Sequence, residues 1–282
     1  MQLRTLMMLA LGSSLFAGCA ADGDDDVVDP PPGDPPPRCV PADQRATKTV
    51  EVRGTVVDFA TGEPVAGASV DITTGWDVGG AFPGGTCPLL ASVKTGADGK
   101  FGPITVQAGS PQDPPIMMFL VHGAGRAQTA DDNRAACQGS RCVLDHRLPV
   151  PSIDTARAWR KELAAGGMSN ALTRGLVLFK FKEGDGSGAA GVGPRILTPD
   201  GGEPLLRSLV PGQQVRFLEE DRATLAPAEL ATTTASGVAV IGLDTPDGVV
   251  NVAGERGAQG WAMTSCLLPD HWFFFEDRTG TP

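Results

Sequence analysis

From Thr49 onward, apolar side chains recur at every second position in short runs, and that period restricts the chain to strands with alternating faces. Val50, Val52 and Val56 share one face with Gly54, while Glu51, Arg53 and Thr55 take the other. Ala68, Val70 and Ile72 alternate with Ser69, Asp71 and Thr73. Ile116 to Val121 is continuously apolar, the pattern of a strand covered on both faces. Turns separate the runs, at Thr61-Gly62-Glu63-Pro64 and at Asp98-Gly99. The 37 Gly and 24 Pro of the 282 residues punctuate the chain too often for long helices. The expected class is all-β, built as one or two antiparallel sandwiches.

The order of these residues carries a resemblance. Val52-x-Gly54-x-Val56-x-Asp58, Gly62-x-Pro64-Val65-x-Gly67-Ala68-x-Val70-x-Ile72 and Thr95-x-x-Asp98-Gly99-x-Phe101 come one after another over about 49–122. Together they resemble a carboxypeptidase-regulatory-like domain, which implies a transthyretin-like β-sandwich. The departure is the Gly-rich stretch between Ile72 and Thr95, which holds Trp76, Phe82 and Cys87. Gly54 and Gly67 suit bends or close strand approach, and Asp98-Gly99 suits a positive φ at a hairpin. None of these positions implies chemistry.

The expected organisation has five parts: residues 1–18, 19–47, a first sandwich at 48–125, a bridge at 126–173 and a divergent second sandwich at 174–282. The bridge is polar and irregular to 150, then helical from a cap at Asp154 to about Ala165, with Gly166 as its stop. Ala156, Trp159 and Leu163 form a packing stripe on that helix. The second sandwich rests on weak echoes. Arg174 to Leu178 echoes Arg53 to Val57, and Ala190-Gly191-Val192 echoes Ala66-Gly67-Ala68. Thr234 to Val238 echoes Thr95 to Lys100, and Gly248 to Gly254 echoes the strand ending at Gly109. Pro194 interrupts the pattern where a strand should continue. Trp272-Phe273-Phe274-Phe275 is too apolar for an exposed edge.

The N-terminus has its own pattern. Leu6 to Phe16 is an apolar core too short to span a ~30 Å bilayer interior. It runs into Phe16-Ala17-Gly18-Cys19, which resembles the lipobox of bacterial lipoproteins, with Phe16 where leucine is usual. The resemblance implies cleavage before Cys19, acylation of its thiol and anchoring in an envelope membrane. Ala20 after the cysteine implies the outer membrane. Residues 20–38 hold six Asp and six Pro, so they are expected to stay disordered and to reach ~60 Å at ~3.1 Å per residue. Asp22, Asp24 and Asp26 alternate like calcium ligands, but Val27 and Gly33 stand where that loop needs Gly and Glu.

Export would favour disulfides among the five cysteines left after Cys19. Cys137 with Cys142 is the first expected bridge; Cys39, Cys87 and Cys266 compete for a second, with Cys39–Cys87 preferred. His122, His146 and His271 are scattered without metal-ligand spacing, so neither a metal nor a cofactor is expected. His122-Gly123-Ala124-Gly125 loosely resembles an esterase oxyanion loop, but no G-x-S-x-G elbow accompanies it. Intradiol dioxygenases, enzymes on a related sandwich, hold iron partly with tyrosine, and this sequence has no Tyr. A net charge of −10 opposes nucleic-acid binding and electrostatic adhesion to anionic lipid. The leading expectation is therefore a non-enzymatic envelope lipoprotein with a structural or protein-interaction role. Two alternatives stand beside it: a glycan-binding module using Trp76 and Phe82, and an enzyme of unrecognised type.

Overall fold

The computed structural model describes residues 46–74, 89–110, 114–168, 171, 175–197, 215–242, 248–267 and 273–279. Phe16, Ala17, Gly18, Cys19, Cys39, Trp76, Phe82 and Cys87 lie outside the described residues. The fold is all-β with one helix among the described residues.

The first half begins with β1 (Ala46–Asp58), β2 (Ser69–Thr74), β3 (Leu89–Lys94), β4 (Lys100–Ser110) and β5 (Ile116–Gly123). It continues with β6 (Arg126–Arg134), β7 (Ala136–Gln138) and β8 (Arg141–Val150). Residues 126–150, expected as an irregular bridge, are therefore strands. One sheet has the order β4-β1-β8-β7, and β6-β5-β2-β3 faces it. Val50, Val52 and Val56 meet Val70, Ile72, Met117 and Phe119 in the core between them, all of them buried. Gly54 leaves room for β8 and Phe101: a Cβ there would lie 2.3 Å from the His146 carbonyl oxygen. The β5–β6 hairpin turns through Ala124-Gly125, at φ 53° and 69°. The His122-Gly123-Ala124-Gly125 run is thus a tight turn with positive φ at both central residues.

The helix α1 (Ile153–Ala165) comes next. Its cap is Ser152, whose hydroxyl accepts from the Thr155 N–H at 3.1 Å, rather than the expected Asp154. Ser152 is the residue with extended backbone (φ −66°, ψ 153°), which only the position outside the first turn adopts. Asp154 instead places its charge in the first turn, favourably against the helix dipole. Gly166 ends the helix, as expected. Ala156, Trp159 and Leu163 are all buried.

The second half contains β9 (Leu176–Lys182), β10 (Gly193–Leu197), β11 (Val215–Phe217), β12 (Val238–Ile241), β13 (Gly248–Arg256), β14 (Gln259–Leu267) and β15 (Phe273–Thr279). Its pairings repeat those of the first half. β9 pairs antiparallel with β12 and parallel with β15, as β1 does with β4 and β8. β13 pairs with β10 and β14 as β5 does with β2 and β6.

The repeat extends to single hydrogen bonds. The buried Thr95 hydroxyl donates to the Val65 carbonyl at 2.7 Å and accepts from the Ala68 N–H at 3.0 Å. Thr233 does the same with Ala189 and Val192, at 2.6 and 3.0 Å. Gly99 accepts from the Val56 N–H, and Gly237 accepts from Phe181, both at 2.8 Å. These bonds correct three of the sequence echoes. Thr233, not Thr234, is the counterpart of Thr95; Phe181 is the counterpart of Val56, which displaces the expected match of Arg174 to Leu178; and β13 stands in the place of β5, not of the strand ending at Gly109. Pro194 fits because β10 is the outer strand of its sheet, where a missing N–H is tolerated.

The halves join through β15, which pairs with β9 on one side and β6 on the other. An eight-stranded sheet results, in the order β11-β12-β9-β15-β6-β5-β2-β3. Met118, Leu120 and Ala130 on its first-half strands share a core with Phe179, Phe181 and Trp261. On the opposite face α1 covers the second-half strands, with Trp159 edge-on to Phe59 and Phe273. Arg160 lies buried over the Phe273 ring at 4.6 Å and donates to the Ala171 carbonyl. Burial brings its guanidinium down to about 10, still charged at neutral pH. With both faces covered, β5 needs the unbroken apolar run that its sequence has.

The matched threonines give a test of the repeat. Thr95→Val and Thr233→Val each leave two buried backbone groups without a partner, so each should cost about 1–3 kcal/mol in urea unfolding. A cost at Thr95 alone would mean that the second half does not hold the same turn.

Candidate functional site

Two kinds of polar group are gathered by the fold. The first are histidines in the interior. His122 on β5 meets Asp71 on β2, Nε2 to Oδ2 at 3.1 Å, with both side chains largely buried. His146 reaches from β8 across the first sandwich to β6, where its Nε2 lies 2.9 Å from Asp131 Oδ2. Its Nδ1 lies 2.9 Å from Asn133 Nδ2. Both ring nitrogens are thus used by neighbours within the sandwich. His146 and Asp131 therefore link the two sheets of the first sandwich. Among the described residues no three of His, Cys, Asp and Glu are grouped so as to hold a metal ion.

The second is a cavity of about 260 Å³ where the two halves meet. The end of β1 supplies Asp58, β8 supplies Arg147, β9 supplies Lys180 and Lys182, and Phe275 of β15 closes the apolar side. Arg222 comes from the turn between β11 and β12. Leu176 and Leu178, on the same face of β9 as the two lysines, belong to the core beneath α1. The lysines thus stand where that core opens to solvent. Lys180 also donates to the Gly186 carbonyl at 3.3 Å.

Asp58 is the carboxylate of this wall, and its bonds are made within the fold. It accepts from the Ala60 and Thr61 N–H groups at 3.0 and 2.9 Å and pairs with Arg126, the first residue of β6. Burial acts to raise its pKa, but the Thr61 N–H and the nearby Arg126 charge outweigh burial and hold the carboxyl below its ordinary 3.8. The second half has a matching pair: Glu183, which begins the turn after β9, holds Arg256 through two bonds of 2.6 and 3.0 Å. Salt-bridge hydrogen bonds to Arg256 likewise lower the Glu183 carboxyl.

Of the candidates read from the sequence, the structure joins Cys137 to Cys142 in a disulfide across the β7–β8 hairpin. Lipidation at Cys19 and the aromatic pair Trp76 and Phe82 fall outside the described residues. The cavity is not foreseen by the sequence, because its lining comes from segments far apart in the chain. One signal is present: along β9 one face changes from Leu176 and Leu178 to Lys180 and Lys182.

No family model matches the chain, and no curated protein does. Among solved structures it is similar to chlorocatechol 1,2-dioxygenase from Pseudomonas putida, at 16% identity and TM-score 0.28, over 37% of this chain and 61% of that one. It is similar to 3-chlorocatechol 1,2-dioxygenase from Rhodococcus opacus 1CP, at 14% identity and TM-score 0.29, over 43% and 69%. A third is the dioxygenase domain of a dioxygenase carbohydrate-binding protein fusion from Streptomyces sp. SirexAA-E, at 19% and TM-score 0.27, over 42% and 91%. Likenesses of this size say nothing about activity here.

The Asp58 pair gives a pH prediction. A carboxyl whose folded pKa is lowered adds stability that is present above its unfolded value and is lost as pH falls through the folded one. Stability should drop as pH falls below about 4, and Asp58→Asn should make that drop shallower. The same variant should lose about 1–3 kcal/mol at pH 7 by thermal or urea melting. An unchanged acid limb in Asp58→Asn would mean that Asp58 is not the group responsible.

Proposed function

We propose that this chain is a membrane-anchored lipoprotein of the cell envelope whose paired sandwiches act as a structural or protein-interaction module without catalysis. The observation that carries the reading is the run Phe16-Ala17-Gly18-Cys19 placed directly after a short apolar core. Each methylene of a thioether-linked diacylglycerol is worth roughly 0.8 kcal/mol in a bilayer, so two or more chains anchor a protein stably. The charge of −10 leaves little attraction to an anionic membrane, which makes a covalent lipid the fitting means of attachment.

The segment after the cysteine supports the same reading. Residues 20–38 make an acidic, proline-rich leash, and β1 begins at Ala46, soon after it ends. The Cys137–Cys142 disulfide suits an oxidising compartment outside the cytoplasm. The motifs between Val52 and Phe101 add the resemblance to carboxypeptidase-regulatory-like domains, and in this structure those residues serve turns and packing. The ring nitrogens of His146 are likewise spent on neighbours within the sandwich.

Metabolic labelling with radioactive palmitate tests the anchor. The precursor should incorporate label and sediment with membranes, while a Cys19→Ser precursor should do neither. A Cys19→Ser chain that still takes label would refute the lipoprotein reading.

A further inference from the structure

The eight-stranded sheet ends at β3, and this end is less guarded than most of the other sheet edges. Among the described residues six strands lie at the ends of the three sheets: β4, β7, β10, β14, β11 and β3. An open edge pairs with other strands unless a proline, a bulge or extreme shortness prevents it. β4 carries Pro103 and β10 carries Pro194, while β7 and β11 are three residues each. β3 runs Leu89-Leu90-Ala91-Ser92-Val93-Lys94, with no proline and a single charge at Lys94. β14 has no proline either; what singles out β3 is Leu89, the large apolar side chain left exposed among the described residues, at 57%.

The backbone adds an independent observation. Thr95, just past β3, donates its N–H to the Ala68 carbonyl at 2.9 Å and accepts from the Gly67 N–H at 3.0 Å. Backbone groups alternate in direction along a strand, so Val93 and Ala91 also face β2. Ser92 and Lys94 therefore turn their N–H and C=O groups to the open side, where no described residue bonds to them. On the inner side Leu90, Ala91 and Val93 are only partly buried against the first core. β3 thus offers open donors and acceptors beside apolar side chains that its own sandwich covers incompletely.

We infer that β3 is a docking edge for a second copy of this chain, paired antiparallel across a two-fold axis at Ser92. In that register Ser92 faces the partner's Ser92, and on the inner side Ala91 faces the partner's Val93. Lys94 falls opposite the partner's Leu90, so the two lysines do not oppose each other and their methylenes cover the Leu89 side chains. The strip is complementary to itself, which a two-fold contact requires. The fold already uses this kind of joint within the same sheet, where β15 pairs edge to edge with β6. Six residues per copy bury less than the ~1,200 Å² of a stable interface, so the dimer is a weak one. The net charge of −10 on each copy adds a repulsion that salt screens. Lipidation at Cys19 plays no part in this contact, so its failure would leave the lipoprotein reading standing.

Sedimentation equilibrium of the full chain at high salt tests it. A reversible monomer–dimer equilibrium is expected, with a Kd on the order of 0.1 mM. Ser92→Lys sets two charges against each other at an exposed position, so its melting temperature should hold while dimerisation weakens at least about tenfold. Oxidative cross-linking reads the register. Ser92→Cys should form a disulfide-linked dimer beyond the level of the unsubstituted chain, and Lys94→Cys should not, because each Lys94 lies opposite Leu90. A chain that stays monomeric up to about 1 mM would overturn the inference and leave the edge to a strand of another protein. So would a dimer that Ser92→Lys does not weaken, or Lys94→Cys linking as readily as Ser92→Cys.

Discussion

The backbone of β15 is hydrogen-bonded on both sides, in register with β9 over seven residues and with β6 over three. Without it, β6 would end the first sandwich's sheet and β9 would lose the partner that β8 provides to β1. An uncovered sheet edge exposes a row of N–H and C=O groups that will pair with any available strand. Placing the last strand between the two sandwiches removes both edges at once. That single arrangement sets most of what lies around it. It makes the inner strands double-faced, it gives α1 an apolar floor of Phe273 and Phe275, and it brings Asp58 and Arg147 of one half beside Lys180 and Lys182 of the other.

The repeated pairing pattern accounts for the join. Each half starts with a strand that pairs antiparallel on one side and parallel on the other, turns at a threonine held by two hydrogen bonds, and closes with a parallel strand. In the first half the closing strand, β8, is flanked by the short β7 with its disulfide. In the second half the closing strand is β15, and β6 of the first half takes the position that β7 holds beside β8. The carboxylate where each opening strand meets its turn, Asp58 or Glu183, is held by an arginine from the opposite sheet's hairpin, Arg126 or Arg256. The pair at Asp58 faces the junction, where Arg147, Lys180, Lys182 and Arg222 line the same cavity.

Strands with a solvent face, and the apolar run of β5, were legible in the sequence, because burial on one face or two leaves a period that can be counted. The helix and its Gly166 stop were legible for the same reason. β6 was not, since Gln128, Thr129 and Asp131 are buried polar residues within a strand. Asp131 is inside because His146 binds it from the facing sheet, and a partner 15 residues away leaves no mark on local periodicity. The register of the second half was misread at Thr234 because adjacent threonines, Thr232 to Thr234, are equivalent as letters. Only the bonds to Ala189 and Val192 single out Thr233. The cavity was illegible because it is a property of the junction, and the junction is set by a strand at the far end of the chain.

Native-state hydrogen exchange on the full chain tests the shared sheet most directly, because amides that open together share one opening free energy. Amides of β6 and β9 should show the same opening free energy, and Phe273→Ala, which empties a fully buried site on β15, should lower both by the same amount. If β6 keeps its protection while β9 loses it, the halves are separately stable and β15 does not join them.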